Sequence, residues 1–178
     1  MAVRERSTND LPGAFREAMS MIATGVVMVT TRVDDRPWGL TISSCCSASA
    51  DPPLVLVSLR GQTVSARRIA AEGRFGVSVL SEDLLSAAYR GADTGKPKFI
   101  DSFCLPPSRH PHVRTPVIAG APAHLDCELF KSIDVADHTL FVGQVQTAIL
   151  MEGKEPLLYF QRSYRALGLW PEDQVCGW

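Results

Sequence analysis

Several signals that would settle a function at sight are missing from this sequence. There is no Gly-x-Gly-x-x-Gly stretch, so a Rossmann dinucleotide module has no support. There is no Gly-x-Ser-x-Gly elbow of the kind that carries a hydrolytic serine. No Cys-x-x-Cys or His-Glu-x-x-His occurs, and His110, His112, His124 and His138 fall at no metal-ligand spacing, so no metal is expected. Net charge is only −1 at pH 7, which leaves no global field to attract nucleic acid or an anionic membrane. No apolar run approaches the ~18 residues that span a bilayer. The polar stretch Met1 to Asp10 lacks the apolar core of a signal peptide. The cysteines (Cys45, Cys46, Cys104, Cys127, Cys176) are odd in number, against a disulfide framework. A cytoplasmic protein without nucleic-acid or membrane partners is expected.

What is present reads as a β-rich domain. Asp10 is placed to cap a helix with Pro12 in its first turn, and Leu11, Phe15, Ala18, Met19 and Ile22 recur at helical spacing towards a stop near Gly25. Val26 to Thr31 predicts a strand, Asp34 to Pro37 a turn, and the alternation of Trp38, Leu40 and Ile42 a second strand. Asp51-Pro52-Pro53 breaks the chain before the apolar strand Leu54 to Leu59. A short helix from Gln62 or Thr63 carries Ile69 inward and ends near Gly73. Phe75, Val77 and Val79 follow as a strand, and Ser81 is read as the cap of another short helix that stops near Gly91. The stretch 91–122 is rich in Gly, Pro and His and is expected to be a functional or mobile loop. Ala123 to Ile133, His138 to Met151 and Leu157 to Phe160 are the remaining strands. Strands that follow one another directly favour an antiparallel barrel. The organisation expected is a flexible N-terminus over 1–10, one domain over 11–168 and a C-terminal tail over 169–178.

Four constellations can carry chemistry. Thr41-Ile42-Ser43-Ser44 gathers hydroxyls on and after a strand; the ordinary reading is a strand running into a loop. Ser58 to Ser65 leaves a buried strand and opens a helix, where free N–H groups and the helix dipole collect a phosphate, with Arg60 at hand. The ordinary alternative is simple capping by Thr63. Lys96 and Lys98 flank Pro97 with Phe99 next, either a ligand contact or two solvated lysines beside a buried ring. Asp137-His138 pairs a titrating group with a carboxylate that would orient it. Vicinal Cys45-Cys46 reads as two small buried residues rather than a redox couple.

The ordered set of motifs goes further. Phe15-Arg16-Glu17-Ala18-Met19, Ala23 to Thr31, Gly39 to Ser44, Asp51 to Val57, Gly73 to Leu80, Asp137 to Gly143 and Pro156 to Phe160 together resemble the short-chain flavin reductase family. These are the reductase components of two-component flavin-dependent monooxygenases. The resemblance runs over roughly residues 15 to 167. It implies the FMN-binding split barrel, mainly β with a few short helices, as a homodimer. It also implies reduction of FMN or FAD by NADH or NADPH, with reduced flavin passed to a partner monooxygenase. It places Leu40, Thr41, Ile42, Ser43 and Ser44 along the flavin ring, and Ser58, Leu59 and Arg60 around the ring and ribityl chain. Gln62, Thr63 and Ser65 fall at the phosphate, Lys98 and Phe99 beside the cofactor, His138 at the nicotinamide, and Tyr164 with Arg165 close to the site. Three places depart from the family's habit: Ala136 stands where Gly often precedes Asp-His, Pro97 where an acidic residue often precedes Lys-Phe, and Gln161-Arg162-Ser163 where an Arg-Gly turn is usual.

Overall fold

The structure is a computed structural model and describes residues 10–168; the expectations for residues 1–9 and 169–178, and Cys176, lie outside the described residues. Helix α1 (Leu11–Ser20) begins as expected: the Asp10 carboxylate accepts from the Gly13 amide at 3.0 Å. Ten strands follow: β1 (Thr24–Gly25), β2 (Val27–Val33), β3 (Arg36–Ile42), β4 (Cys45–Ala50), β5 (Pro53–Arg60), β6 (Arg74–Val79), β7 (Ala123–Val135), β8 (His138–Leu150), β9 (Leu158–Phe160) and β10 (Ser163–Arg165). Helix α2 (Val64–Glu72) lies between β5 and β6, and α3 (Leu85–Ala92) follows β6. The fold is mainly β.

Seven strands form one antiparallel sheet in the order β3-β2-β6-β7-β8-β5-β4, and β1, β9 and β10 form a second, small one. The edge strands β3 and β4 are consecutive in the chain, linked by Ser43 and Ser44 alone, so the two ends of the sheet must curl towards each other at that link. This is an open, split form of a barrel. Pro37 is tolerated in β3 because that strand is an edge.

The continuous apolar run Val26 to Val29 is buried on both faces. Val27 and Val29 pack with Val57, Ile69, Phe75 and Phe141 in a cluster closed by α2. Val26 and Met28 pack with Leu80, Ala88, Ile100 and Ile118 in a second cluster, under α3 and the long loop. That loop is therefore largely structural. Ile100 and Ile118 anchor it in the core, and two short 3-10 turns punctuate it, at Asp101–Phe103 and Pro107–Arg109. Gly91 lets α3 lie directly on β3: a Cβ there would strike the Thr41 hydroxyl.

Four local expectations are corrected. β4 carries Ser, Cys and Ala in place of β-branched residues, so its sequence gives no strand signal, yet it pairs with β5 along its length. Cys46 is exposed, because neighbours on a strand face opposite ways and only Cys45 turns towards the core. Ser81 makes no capping bond; its hydroxyl donates to Asp83, and a 3-10 turn (Glu82–Leu84) precedes α3. The three-residue strand β10 and the two-residue β1 are too short to show a period.

Candidate active site

The link 43–44 and the end of β5 are sewn together: Ser58 N donates to Ser44 O at 3.0 Å, and Ser44 Oγ donates to Ser58 O at 2.8 Å. Residues 40–44 and 58–65, separate in sequence, thus share one wall. The register places Arg60 opposite His138, and Gly61 N donates to Asp137 O at 3.0 Å, so the β7–β8 turn joins the same rim.

That turn is a two-residue hairpin with Val135 paired to His138. Its first central residue, Ala136, has φ +52, a conformation that glycine adopts without strain and alanine does not. His138 Nδ1 lies 2.7 Å from Asp137 Oδ1. A carboxylate only accepts, so Nδ1 carries the proton and Nε2 is left for a ligand. The hydrogen bond from His138 holds the Asp137 carboxyl below its ordinary range, with a smaller contribution from the Arg60 cation.

Hydroxyl by hydroxyl, the wall sorts into committed and free groups. Thr41 Oγ1 donates to Ala88 O at 2.9 Å, fastening α3 to β3. Ser44 Oγ is used by Ser58 O. Thr63 is the N-cap of α2: its Oγ1 accepts from Ala66 N at 3.2 Å and donates to Arg60 O at 2.8 Å. The hydroxyls of Ser43, Ser58 and Ser65 remain. Ser65 is 1% exposed and its Oγ has no partner among the described residues. A buried hydroxyl left unpaired costs about 1–3 kcal/mol, which an incoming acceptor would recover.

Among the described residues, three cavities flank this wall. One of about 420 Å³ opens over the start of α2, between Trp38, Leu40 and Pro97 on one side and Gln62 to Ser65 on the other. A small one of about 190 Å³ lies beside Thr41, Ile42 and Ser43, faced by Tyr159 and Tyr164. A third, of about 510 Å³, shares Ser43 and Tyr159 with the second and runs out under α1.

The remaining expected residues are placed as follows. Leu59 is turned into the core, 1% exposed, because alternation along β5 sends Val55, Val57 and Leu59 inward; its side chain is not part of the wall. Lys98 borders the first cavity, but its ammonium donates to Gly91 O at 2.6 Å and to Asp93 O. The cation thus closes the C-terminal end of α3, where the dipole favours it, and burial pulls its pKa down. Phe99 stacks edge-on against Trp38 at 5.1 Å under the Arg36 guanidinium at 4.0 Å, bracing the cavity wall from behind. Tyr164 packs edge-on against Tyr89 and Tyr159 and faces the small cavity, its pKa raised by burial. Arg165, next along β10, is exposed. Sequence reasoning missed Trp38, Tyr159 and Arg162 as lining residues: the first reads as an ordinary core aromatic, and the other two sit in a ribbon too short to show a period.

Residues 19–168 match the family described as the flavin reductase like domain. The chain belongs to that family. Among flavin reductase relatives, an NADH-dependent FAD reductase of Streptomyces globisporus is 34% identical across 85% of this chain and 83% of its own. The reductase component of 4-hydroxyphenylacetate 3-monooxygenase from Thermus thermophilus is also 34% identical, across 89% of this chain and 97% of its own. A solved structure of the Streptomyces globisporus NADH:FAD oxidoreductase SgcE6, in complex with NAD and FAD fragments, superposes with a TM-score of 0.80 at 31% identity. It covers 97% of this chain and 100% of that one.

Proposed function

We propose that this flavin reductase family member is an NAD(P)H:flavin oxidoreductase that reduces FMN or FAD and hands the reduced flavin to a partner monooxygenase. One observation carries the reading. The cavity of about 420 Å³ ends on a helix start where a buried Ser65 hydroxyl lacks a partner, beside a strand segment flanked by open space. Those groups fit a flavin phosphate. The first-turn amides of α2 and the helix dipole attract an anion, Ser65 Oγ donates a hydrogen bond, and exposed Lys96 stands at the rim.

When bound, the flavin supplies the ring that accepts hydride at N5 from C4 of the reduced nicotinamide. The chain's own residues position and shield. Backbone from Leu40 to Ser44 seats the ring, and Ser43 offers its free hydroxyl. Arg60 and His138 stand together on the rim, where His138 Nε2 is available to hold the donor. Tyr159 and Tyr164 present apolar faces that exclude water from one side. The contribution to rate is the placing of two rings in contact, and no side chain acts as nucleophile.

A homodimer and a cytoplasmic location belong to the same proposal. Phe130, Ile133 and Val135, exposed along the free end of β7, support a subunit contact, which sedimentation velocity measures. No helix among the described residues is long and apolar enough to cross a membrane. The functional test is a turnover matrix of NADH and NADPH against riboflavin, FMN and FAD, with flavin fluorescence titration beside it. Donor oxidation that requires added or bound flavin is expected. Flavin binding without turnover would make the protein a flavin-binding split barrel instead, and absence of flavin binding would overturn both.

A further inference from the structure

Two arginines from opposite ends of the chain meet on the third cavity. Arg16 lies on α1, and Arg162 lies on the turn between β9 and β10. Among the described residues, neither guanidinium has an ion-pair or hydrogen-bond partner and no carboxylate lines the cavity. Its other walls combine aromatic and apolar side chains, chiefly Phe15, Met19 and Tyr159, with the hydroxyl residues Ser20, Thr24, Ser43 and Ser44. Two unneutralised forks over an aromatic-lined groove are the chemistry that recognises a phosphate attached to a nucleoside.

The turn holding Arg162 is built at a conformational cost. Phe160 pairs with Ser163, so Gln161 and Arg162 are the two central residues of a tight hairpin, at φ +48 and +60. Glycine and asparagine are at ease there; glutamine and arginine are not. The strained turn is held against α1 by Gln161 N donating to Ser20 O at 2.9 Å, which fixes Arg162 on the Arg16 side of the groove. The inner end of the groove meets the small cavity at Ser43 and Tyr159, beside Thr41 and Ile42. A ligand with its phosphates between the arginines therefore points its other end at the segment assigned to the flavin ring.

We infer that the groove between α1 and the β9–β10 turn binds the phosphate-bearing part of the NAD(P)H donor, with Arg16 and Arg162 as its ligands. This rests on the reductase reading, and the test keeps the two apart. Binding of ADP-ribose and of 2′-phospho-ADP-ribose, measured by calorimetry, needs no turnover. Arg16→Ala and Arg162→Ala are each expected to weaken binding roughly five- to tenfold, and the double variant more. In turnover, donor KM rises by the same factors while flavin KM and kcat hold, and Arg162→Lys recovers part of the loss. An equal effect on both probes assigns the pyrophosphate; an effect confined to the 2′-phospho probe assigns the 2′-phosphate.

Arg162→Gly separates this role from a structural one. Relief of the left-handed strain should raise Tm while donor binding falls. The inference is overturned if the double variant binds both probes within twofold of wild type. It is also overturned if flavin affinity falls in place of donor affinity, or if the double variant dissociates a wild-type dimer. Loss of probe binding in the variants of a protein that shows no donor oxidation would sink the reductase reading alone.

Discussion

The rear of the sheet and the start of α2 both bury polar side chains, and they treat them in opposite ways. At the rear, His124 is 1% exposed and every polar atom around it is paired. Thr115 Oγ1 donates to Asp126 Oδ1 at 2.6 Å, so it accepts from His124 Nε2 at 3.0 Å; Nδ1 in turn accepts from Ser78 Oγ at 2.8 Å. Asp126 also accepts from the amides of Arg114 and Thr115. The chain of bonds has one consistent direction, fixes one histidine tautomer, and pins the long loop to β6 and β7. At the start of α2, Ser65 is buried as deeply and its hydroxyl is paired with nothing. Buried polar groups are as a rule satisfied, so the first region is finished structure and the second is a place where a ligand completes the structure.

The largest expected effect breaks the finished region. His124→Leu leaves the Ser78 hydroxyl proton without its acceptor and takes a donor from Thr115 Oγ1, and should cost about 3 kcal/mol in urea unfolding while flavin affinity in the folded protein stays put. A matching loss of flavin affinity would mean that the two regions are not separable. Acid probes the same network without mutation. Burial lowers the His124 pKa from 6.5 to about 4. Between those values the unfolded chain binds a proton that the native protein refuses. The stability from this group is therefore complete above pH 6.5, falls as the pH drops towards 4, and totals about 3 kcal/mol. Subtracting the urea-unfolding pH profile of His124→Leu from that of wild type isolates this contribution. A flat difference over that window would contradict the burial.

Ser65→Ala is the converse. Removing an unpaired hydroxyl should leave Tm unchanged or raise it slightly, by up to ~1 kcal/mol of stability, while affinity for FMN and FAD falls roughly tenfold. Riboflavin, without a phosphate, should bind both proteins alike. Equal loss for all three flavins would move the phosphate away from α2.

The two regions were also unequally legible. The start of α2 could be read because Thr63 and Gly73 bracket an apolar stripe after an apolar strand, and capping chemistry is local. The paired partners at the rear could not: Ser78, Thr115, His124 and Asp126 look unremarkable in sequence until β6 and β7 set them side by side. The same holds within the site. Motif order singles out segments 40–44, 58–65 and His138, and backbone pairing brings them to one wall. That Thr41 gives its proton to Ala88, that Lys98 caps α3 and that Arg162 stands with Arg16 depend on tertiary neighbours no local pattern encodes. β4 was invisible because pairing, and not propensity, makes it a strand.

The smallest predicted effect tests the contrast at its shortest range, two residues apart on α2. Thr63 invites the expectation that its hydroxyl grips a flavin phosphate, but both of its hydrogen-bonding roles are taken, one by Ala66 N and one by Arg60 O. Thr63→Ala should therefore behave as the loss of a cap, with about 1 kcal/mol less stability, and only a modest drop in flavin affinity through fraying of the first turn. Thr63→Ser restores the hydroxyl, and with it both Tm and affinity. The decisive comparison is with Ser65→Ala in one titration: the Thr63 variant should lose more stability and less affinity, and the Ser65 variant the reverse. If Thr63→Ala instead costs the larger share of FMN binding at unchanged Tm, the hydroxyl committed in this structure is released when ligand arrives, and the division between finished and waiting groups fails where it was drawn most finely.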